Sequence, residues 1–138
     1  MKFLVDTHCW LWGVTSPERL RPAAVDLIES TDNTIMFSTV SALEIAIKFS
    51  LGKLKLPEPP ETYVPSRVAA LSMVSLPVYL GHALQVGLLP HFHRDPFDRL
   101  LIAQSHVERV PLMTADAVIA QYDIEVIWAG RGRAPRRS

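Results

Sequence analysis

Apolar positions along the chain alternate between two periods. Phe3-Leu4-Val5 is an unbroken apolar run that stops on Asp6, the pattern of a strand covered on both faces. From Thr7 to Val14 the spacing turns helical, and Pro22–Ser30 is predicted as a second helix with its proline in the first turn, where a missing N–H costs little. Thr34–Phe37 reads as a strand and Ser38–Leu51 as a helix stopped by Gly52. Leu56–Pro60 reads as a loop because of its prolines. Tyr63–Leu71 is predicted helical with Pro65 in its first turn, Val74–Val78 a strand, Tyr79–Leu88 a helix and His91–Arg94 a loop. The clearest helix follows: Phe97, Leu100, Leu101, Gln104 and Val107 share a face, Pro96 takes the first helical position and Asp95 the cap. Val110–Met113, Asp116–Gln121 and Ile124–Trp128 complete the pattern as strand, short helix and strand.

Strands separated by helices predict a parallel sheet in a three-layer α/β/α arrangement with right-handed crossovers. Residues 1–128 are expected to form this one domain, with residues 129–138 as a flexible Arg-rich tail. In such sheets sites form beyond the carboxyl ends of strands, where the strand order reverses. Asp6 closes the first strand, Asp116 follows the strand ending at Met113, Glu44 lies in the helix after the second strand, and Asp95 and Asp98 open the Pro96 helix.

Composition narrows the reading. The chain has 138 residues with 14 basic and 14 acidic side chains, and its single cysteine, Cys9, excludes a disulfide framework and a cysteine-rich zinc site. No apolar run approaches the ~18 residues of a membrane span, and the start lacks the pattern of a signal peptide, so a soluble, cytoplasmic protein is expected. Zero net charge hides an asymmetry, because the last ten residues carry four arginines and no acid, which leaves 10 bases against 14 acids in the body. An acid-rich body argues against binding nucleic acid through bulk charge and points to local phosphate contacts, at a metal site or the tail.

Each acid has a structural alternative. Asp6, Asp95 and Asp116 are each placed to cap a helix, and Ser41-x-x-Glu44 and Asp95-x-x-Asp98 resemble capping boxes. Ser38, however, is an equally good cap for the helix carrying Glu44, which leaves Glu44 beyond the first turn amid Ala42, Leu43, Ile45, Ala46 and Ile47. A carboxylate in that setting needs a partner, and a divalent cation shared with other acids would supply one. Thr7 and Thr114 stand beside the acids and serve either to orient a ligand or as ordinary turn hydroxyls. Arg94 and Arg99 flank them and either meet phosphate or pair with Asp95 and Asp98. His91-x-His93 lacks a third soft ligand and reads as solvated loop histidines or RNA contacts. Cys9 reads as packing rather than a nucleophile.

Four segments in this order, FLVDTHCWLW, STVSALEIAIK, HRDPFDRLLIAQ and PLMTAD, resemble the signatures of PIN-domain ribonucleases, and most of all the VapC-type toxins of bacterial toxin–antitoxin pairs. The resemblance spans Lys2 to about Trp128. It implies an endoribonuclease that uses Mg²⁺ or Mn²⁺ and metal-activated water, with Asp6, Glu44, Asp98 and Asp116 as the catalytic and metal-holding acids. Asp95 and Asp98 compete for the third place; Asp95 already has the cap role, so Asp98 is favoured and Asp95 is kept as support. The same resemblance implies a homodimer and a small antitoxin partner, whose peptide would lie between the segment Cys9–Trp12 and the helix of Glu44. A non-catalytic PIN-like module that binds RNA or protein is the alternative.

Overall fold

Alternate residues of each strand serve opposite layers, and that period of two organises the molecule. The computed structural model describes residues 1–136; Arg137 and Ser138, the end of the expected tail, lie outside the described residues. Its elements run β1 (Lys2–Val5), α1 (Thr7–Thr15), α2 (Pro22–Glu29), β2 (Thr34–Ser38), α3 (Thr39–Ser50), α4 (Pro60–Ala70), β3 (Val74–Leu76), α5 (Leu80–Gln85), α6 (Pro96–Glu108), β4 (Leu112–Thr114) and β5 (Val126–Trp128). Single 3₁₀ turns occur at Pro17–Arg19, Val86–Leu88 and Ile119–Gln121. The strands form one parallel sheet in the order β3-β2-β1-β4-β5, with Phe3 beside Ile35, Leu4 beside Met36 and Val5 beside both Phe37 and Met113.

One core packs Phe3, Val5, Ile35, Phe37 and Met113 against Cys9, Trp10, Ile28, Ile45 and Tyr63 of the first four helices. The other packs Leu4, Met36 and Leu112 against Leu101 and Ile102 of α6, with Leu89 and Tyr122 closing it. The expected three-layer fold is therefore present, and its central strand β1 is apolar on both faces because both are covered.

The differences from expectation lie at element ends. α4 begins at Pro60, three residues before the expected start, so Pro65 falls in its second turn and removes one backbone donor there. β3 stops at Leu76, since Pro77 has no N–H for a ladder. β4 runs from Leu112 to Thr114 rather than from Val110, β5 begins at Val126 rather than Ile124, and the helix expected from Asp116 is only the turn Ile119–Gln121. Past Trp128 the chain does not leave the body at once: Ala129 is buried, donates its N–H to Thr114 and accepts from Arg21, and Arg131 Nε donates to the Glu18 carbonyl. Gly52 was the expected stop of α3, and there the chain enters the left-handed region at φ 70°. Gly52 N–H donates to Phe49 and Lys53 N–H to Lys48, the paired bonds of a Schellman cap, which fix the loop carrying Lys53 and Lys55.

Candidate active site

The strand order reverses between β1 and β4, and the ends of these two strands carry the acids. Asp6 follows β1 directly and caps α1: its Oδ1 accepts the Cys9 N–H at 2.7 Å. Its Oδ2 accepts the Thr114 hydroxyl at 2.5 Å, and the same hydroxyl oxygen accepts the Asp116 N–H at 3.0 Å. Thr114 thus ties two acids together across the break in strand order. Asp116 divides its oxygens the same way, with Oδ1 accepting from Val118 at 2.8 Å and Oδ2 facing His93 Nε2 at 2.9 Å. The capping and site readings of these acids are therefore compatible, because one carboxylate oxygen serves each.

Asp98 stands in the first turn of α6, buried, with Oδ2 at 3.2 Å from the same His93 Nε2. Asp95 caps that helix through Oδ1, which accepts from Phe97 at 2.8 Å and Asp98 at 3.3 Å, as its sequence position indicated. Asp6, Asp98 and Asp116 line one cavity of about 260 Å³ with His8, Trp12 and Ala115. Glu44 instead faces a neighbouring cavity of about 510 Å³, together with Thr7 and Lys48, and His8 and Trp12 form a wall common to both. The Thr7 hydroxyl donates to Ser41 at 2.8 Å, which fastens α1 to α3.

Glu44 is buried on α3 because Ser38 caps the helix, as the sequence suggested, and the next apolar residues turn the acid inward. One of its oxygens finds a protein partner: Lys48, one turn on, reaches Oε2 at 2.5 Å. The sequence reading assigned that place to a cation alone. Glu44 Oε1 is buried without a hydrogen-bond partner, which is costly for a carboxylate and marks a place for a further positive group.

His93 is the residue that sequence reading missed. Its Nδ1 accepts the Asp95 N–H at 3.1 Å, so the ring hydrogen sits on Nε2 and points at Asp98 and Asp116. Ligand atoms of His93, Asp98 and Asp116 all lie within 4.8 Å of one another. With Nδ1 occupied as an acceptor, Nε2 is a donor to the two carboxylates rather than a nitrogen ligand. The local signal was a histidine two residues ahead of a helix cap; what brings it to Asp116 is tertiary.

Arg99 corrects an expectation. It pairs with neither Asp95 nor Asp98 and offers nothing to phosphate; it is buried and donates to the carbonyls of Pro90 (2.7 Å) and Val86 (2.9 Å) and to the Tyr122 hydroxyl (3.2 Å). It braces the loop before α6. Arg94 is exposed beside His93. Cys9 is fully buried, and burial followed by the Asp6 charge pushes its thiol far up, which suits packing and not nucleophilic chemistry.

Electrostatics agree with a site short of positive charge. Burial raises the Asp6 carboxyl above the usual range, against the lowering effect of its hydrogen bonds from Thr114 and Cys9. Asp98 is pushed up to about 7, first by burial and then by the charges of Asp95 and Asp6, with His93 offsetting part. Asp116 is lowered: burial opposes this, but the hydrogen bonds from His93 and Val118 prevail. Hard oxygen donors, an orphaned buried carboxylate oxygen and acids that resist ionisation together fit a hard divalent cation.

Against known families, the PIN domain model matches residues 3–125. The chain belongs to the PIN domain family. Among curated proteins, this PIN domain is 41% identical over 56 residues to Ribonuclease VapC16 of Mycobacterium tuberculosis, a match that spans 41% of the chain and 40% of that relative. Among solved structures, it is similar to VapBC2 from Rickettsia felis bound to a DNA fragment from the promoter, with TM-score 0.72 and 13% identity over 94% of this chain and 99% of that one. A domain of a functionally unknown protein from Methanocaldococcus jannaschii is similar at TM-score 0.56 and 14% identity, over 99% of this chain and 96% of that one. These two likenesses establish the fold of the PIN domain. The partial match to Ribonuclease VapC16 agrees with the resemblance read from the four segments.

Proposed function

We propose that this PIN domain is a divalent-cation-dependent endoribonuclease and the toxin half of a toxin–antitoxin pair. The observation that carries the reading is the convergence of Asp6, Asp98 and Asp116 on one cavity where the strand order reverses. Asp6, Asp98, Asp116 and Glu44 would hold Mg²⁺ or Mn²⁺, with Asp95 in support. Held by these acids, such a cation would supply Lewis-acid polarisation of the scissile phosphate and of an attacking water.

The chain's own residues supply position. The α1 cap and the Thr114 hydroxyl together fix both oxygens of Asp6, and Thr114 also fixes the backbone of Asp116. His93, held at its backbone by the Tyr122 hydroxyl and at Nδ1 by Asp95, presents an N–H at the meeting point of Asp98 and Asp116. Arg94, exposed beside His93, is the one of the two flanking arginines that remains available for RNA phosphate.

The partners proposed are a small antitoxin and a second copy of the chain. Leu80, Leu84 and Leu88, four apart and largely exposed, offer apolar surface for the homodimer. The test of function is incubation with a structured RNA and Mg²⁺ or Mn²⁺, against EDTA. Discrete internal cuts that cease in EDTA are expected. Absence of cleavage with either metal would favour a non-catalytic module and overturn the reading.

A further inference from the structure

Glu44 and Lys48, one turn apart on α3, form an ion pair that helix chemistry alone does not explain. Pairs at this spacing usually lie on solvated faces, where they contribute little. Here the Glu44 side chain is 1% exposed, and Lys48 reaches it at 2.5 Å from the cavity of about 510 Å³ that both residues line. Burying a carboxylate is costly, and a neutral side chain at position 44 would serve the fold as well. After Glu44, the charges that act on the Lys48 ammonium are those of Asp95 and Asp98 at the start of α6. Lys48 thus places a fixed positive charge at the edge of the acid cluster.

Glu44 divides its oxygens as Asp6 and Asp116 do: Oε2 takes Lys48, and Oε1 is buried with no hydrogen-bond partner. A divalent cation at Oε1 and the ammonium at Oε2 would share one carboxylate, so two positive charges would act together. Two-metal phosphoryl-transfer sites obtain that arrangement from a second ion, and the two charges clamp the attacking and leaving oxygens. The donors here suit one ion better than two. Both oxygens of Asp6 already accept from Cys9 and Thr114, both of Asp116 face Val118 or His93, and Asp95 Oδ1 is taken by the cap of α6. Glu44 also opens onto a different cavity from Asp6, Asp98 and Asp116, and His8 and Trp12 wall both. A phosphodiester at the three aspartates therefore has the cavity of Lys48 beside it.

We propose that Lys48 is a catalytic residue: its ammonium, held by Glu44, takes the place of a second metal ion and contacts the scissile phosphate beside a single divalent cation. The inference rests on the ribonuclease reading and adds a residue and a metal count to it. Lys48 keeps its proton and forms no covalent bond. Its contribution is the attraction of a fixed charge for the negative charge that builds on the phosphate oxygens. Glu44 is the positioning residue that aims it, with one oxygen for the ammonium and one for the cation.

The first readout needs no RNA: the full chain is titrated with Mn²⁺ and the bound ion is counted by electron paramagnetic resonance. The second is the initial rate of RNA cleavage at saturating Mn²⁺. The proteins are the parent, Lys48→Gln, which keeps a hydrogen-bond donor for Glu44, and Lys48→Arg, all with matched circular dichroism. The parent should bind a single Mn²⁺ per chain. Lys48→Gln should bind Mn²⁺ at least about 10-fold more tightly, because a like charge leaves the cation's surroundings. The same variant should cleave about 100-fold more slowly, so that affinity and rate move in opposite directions. A lysine that only props Glu44 predicts that both fall together. Lys48→Arg should keep the parent's Mn²⁺ affinity and recover part of the rate. Two Mn²⁺ per parent chain, or Mn²⁺ binding by Lys48→Gln that is unchanged or weaker, would overturn the proposal. If the parent cleaves and Lys48→Gln cleaves as fast, the role of Lys48 fails and the ribonuclease reading stands. If the parent cleaves with neither Mn²⁺ nor Mg²⁺, the ribonuclease reading fails and takes the role of Lys48 on phosphate with it.

Discussion

Replacing Asp98 by Asn should stabilise the metal-free protein at neutral pH, and by an amount that follows from its surroundings. Its carboxyl is pushed from an ordinary 3.8 up to about 7 by burial and then by Asp95 and Asp6. Between those two values the unfolded chain ionises Asp98 while the folded chain keeps its proton, so stability falls as pH rises through this window and is level above it. At about 1.4 kcal/mol per pH unit, the penalty at pH 8 amounts to roughly 4 kcal/mol. Asn removes the charge, keeps the shape and still accepts from His93, so the gain should be a large part of that figure. Asp116 slopes the other way: its carboxyl is lowered, so its contribution is present above 3.8 and lost as pH falls below that, in parent and variant alike. Urea unfolding in EDTA at pH about 4 and about 8 measures the difference. Asp98→Asn should exceed the parent near pH 8, with the two converging near pH 4. A variant no more stable at pH 8, or a gap independent of pH, would refute the reasoning.

Other substitutions test the supports of the site. Arg99→Met should cost at least about 3 kcal/mol in urea unfolding, because buried carbonyls of Val86 and Pro90 lose a charged donor, and Arg99→Lys should recover less than half for want of the planar fork. Lys48→Met should cost about 2 kcal/mol without metal by leaving both oxygens of the buried Glu44 unpaired, and adding Glu44→Gln should return part of it in a double-mutant cycle. Ser72 follows α4 at φ 52°, a conformation suited to glycine, so Ser72→Gly should raise stability by up to about 1 kcal/mol, read as a higher melting temperature.

The legible parts of the fold were those that local chemistry decides. The apolar run before Asp6 announced a central strand, Ser38 and Asp95 announced their helices as caps, and Gly52 announced a stop, and each is where the sequence put it. Element ends were misread where the deciding interaction is distant or absent from pattern, as with α4, whose start at Pro60 moved Pro65 into the second turn. The acids could be singled out because carboxylates at strand ends stand out in a parallel α/β chain. Their division of labour was not, because a sequence shows one carboxylate where the fold uses two oxygens separately, as at Asp6 and Asp116. His93 and Arg99 exchanged roles for the same reason. A loop histidine entered the site and a flanking arginine left it, through contacts with Asp116 and with the carbonyls of Val86 and Pro90 that no local spacing encodes.

The central claim is that Asp6 serves RNA cleavage and not only the cap of α1, and the rate of Asp6→Asn separates these roles. Asn keeps an oxygen for the Cys9 N–H, so a cap alone predicts a loss of no more than about 1 kcal/mol in stability and little change in activity. The measurement is the initial rate of internal cleavage of one structured RNA at saturating Mn²⁺, on parent and variant with matched circular dichroism. The account predicts a fall of at least about 100-fold with the fold intact, and no cleavage by the parent in EDTA. A variant that cleaves as fast as the parent, or a parent that cleaves in EDTA, would contradict it.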